Sequence, residues 1–273
     1  MPWPSPHVHW DVLGTIFVLG FAYGFAEIRL RKLVAPASAP ATRRQWWQWY
    51  GGLFFMLVVS SWPLHDIAET ALFSVHMVEH MVIAYVTAPM LLMGVPRWMA
   101  DATIGRPKVA RLLRPFVHPV AAFVVFNTVM IAIHWPDIVA LMITNSLGHF
   151  VVHAVLFVTA LATWMPILSP TPALPALRRP MQVVYLFGQS ILPTIPASFL
   201  TFSSTPFYPV YGDAALAWGI SPLADQTIAG VIMKLGGGFL ILIVMAVVWF
   251  RWVTEERKWD EIEAELRSMP SEH

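Results

Sequence analysis

Residues 72–94 read LFSVHMVEHMVIAYVTAPMLLMG. Apart from Ser74, His76, Glu79 and His80, and the half-polar Tyr85 and Thr87, every side chain in this run is apolar or small. A helix needs about 20 such residues to cross the hydrocarbon core of a bilayer. Six further runs meet the same requirement, at 12–30, 46–62, 116–134, 147–168, 181–202 and 226–252. Composition points the same way. Of 273 residues, 57% are hydrophobic and 12% charged, where a soluble domain carries about 25% charged residues. Mean hydropathy is +0.63. A disordered chain, a nucleic-acid binder and an ordinary cytoplasmic enzyme are excluded. The expected fold is all-α: a polytopic membrane bundle of seven transmembrane helices, one membrane domain over 1–273, with a short charged cytoplasmic tail at 254–273.

The basic residues set the expected orientation. Arg29, Arg31, Lys32, Arg43 and Arg44 lie between the first two runs, and Arg97, Arg106, Lys108, Arg111 and Arg114 between the third and fourth. Arg178 and Arg179 lie between the fifth and sixth, and Arg251, Arg257, Lys258 and Arg267 follow the seventh. All fall on one side if the N-terminus is outside and the C-terminus cytoplasmic; Arg29 and Arg251 stand at the inner ends of their runs, and only Lys234 lies deep within one. No Lys or Arg precedes the first run, so it reads as a retained span and not as a signal peptide, which carries its positive charge first. The outer side then holds Asp11, Asp66, Glu69, Asp137, Asp213 and Asp225 without a base, and an acidic mouth of this kind concentrates cations.

The histidines are placed just as unevenly. His7, His9, His65 and His134 fall outside, and His76, His80, His149 and His153 in the outer halves of their runs; only His118 and His273 are cytoplasmic. His76 and His80, like His149 and His153, are four residues apart, which puts each pair on one helix face about one turn apart. Trp62-Pro63 precedes His76 by 14 residues, and Trp135-Pro136 precedes His149 by 14. Runs two and three thus resemble runs four and five shifted by 73 residues, and a parallel repeat about an axis along the membrane normal would bring the two pairs together. Ionisable groups at such depth usually face the bundle interior, and neutral imidazole is the commonest metal ligand. With no cysteine, thiolate sites, disulfides and covalent c-type haem are excluded.

Four chemistries remain open on these residues. One is a metal ion, held by His76, His80, His149 and His153 with His65 and His134 nearby. A second is one haem between facing histidines. A third is a zinc peptidase, since His76-Met77-Val78-Glu79-His80 matches H-x-x-E-H, although the matching segment has Val152 where the Glu would be. The fourth is cation or proton transport through Glu79 and Lys234. Lys234, about 12 Å below the outer end of its run, is expected to pair with Glu79, the one acidic residue at similar depth.

These segments resemble the CtaG-type cytochrome c oxidase assembly factors, seven-helix bacterial membrane proteins. The resemblance covers about residues 60–255. It is carried by Pro63-Leu64-His65-Asp66, the run from Phe73 through Met81, Ala88-Pro89, Gly94-Val95-Pro96, His134-Trp135-Pro136, His149, His153 and the run from Asp225 through Met233. It implies a non-enzymatic role in the bacterial cell (inner) membrane, in contact with the subunits of a haem–copper cytochrome c oxidase and with the lipid bilayer, and with copper as the cargo. Copper favours imidazole and thioether donors, so Met77 and Met233 join the expected ligands, with Met81 close by. The chain departs from the family pattern after Met233, where Lys234-Leu235-Gly236-Gly237-Gly238 replaces an aromatic residue.

Overall fold

The structure is a computed structural model that describes residues 3–268. All regular structure among them is helical. Helices α1 (Trp10–Val34), α4 (Phe73–Gly94), α9 (Ser146–Leu168), α10 (Arg179–Phe202) and α11 (Pro222–Glu263) are each long and apolar enough to cross a membrane. Two bent pairs qualify when taken together: α2 (Arg43–Val59) with α3 (Leu64–Thr70), at 45°, and α6 (Pro107–Val117) with α7 (Pro119–Ala132), at 59°. Two short helices complete the chain, α5 (Arg97–Ala102) and α8 (Pro136–Thr144). The candidate spans therefore number five to seven.

α4 is the axis of the bundle. It packs against α2, α9 and α11 and is the most buried of the long helices, while α1 lies at the periphery and leaves most of its surface exposed. The start of α4 is fixed from a distance. Asp225 on α11 accepts the backbone N–H groups of Phe73 at 2.7 Å and Ser74 at 3.1 Å, two of the four donors that a helix N-terminus leaves unpaired. α9 is capped locally, by the Asn145 side chain accepting from Gly148 N–H at 2.8 Å. Below His80 the α4 backbone widens into a π-helical turn at Ile83–Thr87, where the Ala84 carbonyl accepts from Trp164 Nε1 of α9 at 2.8 Å. Such turns recur beside functional sites. α10 and α11 approach closely at Gly230, where a Cβ would stand 2.8 Å from the Ala197 carbonyl. Small residues permit this kind of contact between membrane helices.

At the basic end, buried Glu27 anchors α1. It accepts from Trp98 Nε1 at 2.8 Å and Ala41 N–H at 2.9 Å, and Arg31 Nε lies 3.2 Å away.

One expectation needs correction. The run at 116–134 is not one helix. Pro119 disfavours helical geometry at His118, which is extended at ψ 133°, and the chain turns there. The segments between runs two and three and between four and five each contain a short helix, α3 or α8, at their Trp-Pro. The charged segment from 254 is helical, continuing the last helix through Ser268; residues 269–273, including His273, lie outside the described residues.

Candidate metal centre

α4 and α9 carry their histidines in their first two turns, and their packing places the two pairs face to face. Ring centroids are 4.3 Å apart for His76 and His80, 4.3 Å for His149 and His153, and 5.0 Å for His80 and His153. The expected four-imidazole cluster nevertheless divides in two. His76, His80 and His153 bring one nitrogen each to within 4.8 Å of one another, and so do the donor atoms of His65, Glu69 and His149.

The first group is deep. His76 and His80 are fully buried, and neither ring nitrogen of either, nor Nε2 of His153, has a hydrogen-bond partner. Leaving a buried polar atom unpaired costs about 1–3 kcal/mol. One nitrogen from each of the three rings, converging within 4.8 Å, fits a cation that would accept one lone pair per neutral imidazole. The residues present suit a metal that prefers imidazole, copper and zinc among them.

The second group is shallower and carries charge. His65 Nδ1 donates to Glu79 at 2.9 Å, and Ser60 Oγ donates to the same carboxylate at 3.0 Å. That leaves His65 Nε2 facing Glu69, 3.6 Å away. His149 Nδ1 lies 2.9 Å from Glu69, out of line for a hydrogen bond, and both His149 nitrogens are unpaired. His65 stands on α3, beyond the end of α2.

Glu79 sits between the groups, bonded to His65 and 3.7 Å from His153 Nδ1. The expected Lys234–Glu79 pair is therefore not formed. Lys234 Nζ lies over the Phe202 ring, 5.6 Å from its centroid. One helix position is a turn of about 100°: Met233 faces the core, so its neighbour Lys234 points past it toward α10. Met77 and Met233 are both buried in the main apolar core, together with Met81. Asp225 caps α4 and belongs to neither group.

The remaining histidines extend the line outward and inward. His134 donates through Nδ1 to the Met130 carbonyl; its Nε2 is unpaired and its ring lies 5.9 Å from His80. Near the N-terminus, His9 lies 4.5 Å from the His65 ring, and His7 and His9 approach buried Asp66 at 3.4 and 3.2 Å. Trp62 Nε1 donates to the Pro4 carbonyl and Trp3 packs edge-on against Trp218, which holds this segment across the acidic end. A cavity of about 130 Å³ opens between α1, α2 and α9, lined among others by Asp11, Ser60, His65, Glu79, His149 and His153. It reaches both groups.

Glu69 and Ser60 are the site residues that the sequence reading passed over. The signal for Glu69 was its spacing, four residues after His65, which only matters once α3 is known to be a helix.

Residues 20–255 match the family described as cytochrome c oxidase caa3 assembly factor (Caa3_CtaG). Two relatives, from Mycobacterium bovis and Mycobacterium tuberculosis and each described as an uncharacterized protein, are 25% identical over 263 residues. That alignment covers 90% of this chain and 38% of each relative, so the chain spans well under half the length of the curated relatives it matches. No solved structure matches it. The matched span contains every member of both donor groups, and the chain belongs to the cytochrome c oxidase caa3 assembly factor family.

Proposed function

We propose that this assembly factor binds copper at the deep group, His76, His80 and His153, and passes it to a haem–copper cytochrome c oxidase during maturation of its metal centre. The observation that carries the reading is the set of buried, unpaired imidazole nitrogens converging from α4 and α9. The chain crosses the bacterial cell membrane seven times, with each bent pair serving as one span. The acidic, histidine-rich end faces outward and the arginine-rich end inward, as the distribution of basic residues requires. The role is that of a metallochaperone without substrate turnover. Glu79, which a peptidase would use as general base, is held instead by Ser60 and His65.

An ion suits the site better than a haem. The cavity of about 130 Å³ is smaller than the roughly 300–1,000 Å³ typical of organic-ligand pockets. Met77 and Met233 have no ligand role in this reading; they pack the core behind the histidines.

Metal analysis of the detergent-purified protein, with a visible spectrum, tests the proposal. Copper retained by the wild type and by His118→Ala, reduced in His80→Ala by the ion of the deep site, and unaccompanied by a haem Soret band is the expected result. Equal copper content in all three proteins would refute it.

A further inference from the structure

The shallow group belongs to no role described so far. His65, Glu69 and His149 supply two imidazoles and a carboxylate, and their donor atoms lie within 4.8 Å of one another. His149 is buried, its Nδ1 lies 2.9 Å from Glu69, and its Nε2 has no hydrogen-bond partner. His65 is held as a metal-ligating histidine usually is: one ring nitrogen bonds a carboxylate, here Glu79, and the other is left to face the ion.

The position of the group relative to the deep one is informative. His149 and His153 stack at 4.3 Å, with 19° between their planes, on successive turns of α9. An ion moving from one group to the other travels about one helical turn, ~5–6 Å. Glu79 touches a ligand of each, His65 directly and His153 at 3.7 Å. Side-chain exposure is 68% at His7, 19% at His9 and 29% at Glu69, but the imidazoles of the two groups do not differ in this way: His65 is 6%, His149 9% and His153 13% exposed, and His76 zero. The donor set is what distinguishes the groups. A carboxylate at the shallow site offsets the charge of a divalent cation as it leaves water. The deep site offers imidazole alone, which copper favours.

Building on the proposed copper role, we infer that His65, Glu69 and His149 form a second copper site, which receives the ion first and loads the deep site by ligand exchange along α9. The copper keeps its oxidation state throughout. Each exchange breaks one donor bond at the shallow site and forms one at the deep site, with His149 handing over to His153.

The test uses the full chain in detergent micelles with Cu(II) as the probe. The wild type is expected to bind two ions. Glu69→Gln and, independently, His149→Asn should each bind one and keep the deep site; His80→Ala should bind one and keep the shallow site. Rapid mixing with less than one equivalent, followed by electron paramagnetic resonance on frozen samples, should show mixed nitrogen–oxygen ligation first and nitrogen-only ligation later. In Glu69→Gln the early species should vanish and filling of the deep site should slow about tenfold, the scale on which a charge at a mouth raises local cation concentration. Its equilibrium affinity at the deep site should stay unchanged, and Glu69→Asp should restore the fast phase.

One ion bound by the wild type and lost equally in Glu69→Gln, His149→Asn and His80→Ala would mean a single composite site. That result overturns the two-site inference and leaves the copper reading standing. Unchanged stoichiometry and rate in Glu69→Gln and His149→Asn would also overturn it. No copper bound by the wild type would remove the proposed function and this inference together.

Discussion

The paired histidines of α4 and α9 share a spacing, a position in the first turns of their helices and a preceding Trp-Pro, yet they occupy different surroundings. His76 and His80 are enclosed by α2, α9 and α11, while His149 and His153 face the cavity that opens beside α1. The helices before them differ more. α3 carries His65, Asp66 and Glu69; the positions 73 residues later, on α8, are Ile138, Val139 and Met142. Glu79 likewise has Val152 as its counterpart. Equal spacing supplies four imidazoles. The unequal short helices bring Asp66 and Glu69 from α3 but only Asp137 from the start of α8, and this gives a symmetric-looking cluster one carboxylate-rich side.

That comparison breaks most visibly at the deep ligands. His80→Ala or His153→Ala is expected to weaken deep-site copper binding at least ~100-fold, the upper range for loss of a group that merely supports a metal ligand. A competition titration against a chelator measures it. His118→Ala, at the bend before α7, should change nothing. If His153→Ala binds as the wild type does, α9 contributes no ligand and the two-helix site fails.

The two helix starts separate next. Asp225→Ala removes a buried, charged cap shared by two N–H groups, and thermal unfolding in detergent should show a loss of about 2 kcal/mol, the top of the range for caps. Asn145→Ala, a neutral and exposed cap, should cost about 1 kcal/mol. Equal losses would mean that α4 does not depend on α11 for its first turn.

Glu79→Gln tests whether one carboxylate serves both groups. It should lower affinity at the shallow and the deep site alike, by about 10-fold. An effect confined to one site would assign Glu79 to that site alone. Acidification acts on every imidazole, because protonated nitrogen cannot ligate, so copper affinity measured by chelator competition should weaken as pH is lowered.

Lys234→Met should have the smallest effect. Its ammonium faces Phe202, not Glu79, and a cation–π contact is worth about 0.5–1 kcal/mol at an exposed site and about 2 kcal/mol when desolvated. Stability should fall by no more than that, with copper affinity unchanged. Recovery of a larger loss on adding Glu79→Gln would restore the pairing expected from sequence.

Hydropathy made the long helices legible, because length and apolar content decide what can cross a bilayer. The i,i+4 spacing made the histidine pairs legible for the same local reason. The division into two groups was not legible. It depends on α3, a seven-residue helix too short for its periodicity to stand out, and on the packing of α4 against α9. The Lys234 pairing failed for a rotational reason: depth along a helix can be read from sequence, but the direction a side chain takes around it is set by which neighbour the helix packs against. The role of Asp225 in capping α4 joins residues about 150 positions apart, and no local pattern signals such a bond.

The deep site is tested most directly by X-ray absorption at the copper edge on protein loaded with a single equivalent and left to equilibrate. Three imidazoles in the first shell, with their outer-shell scattering, no sulfur, and one imidazole fewer in His153→Ala are the expected result. A shell dominated by sulfur, or one that His153→Ala leaves unchanged, would contradict the account.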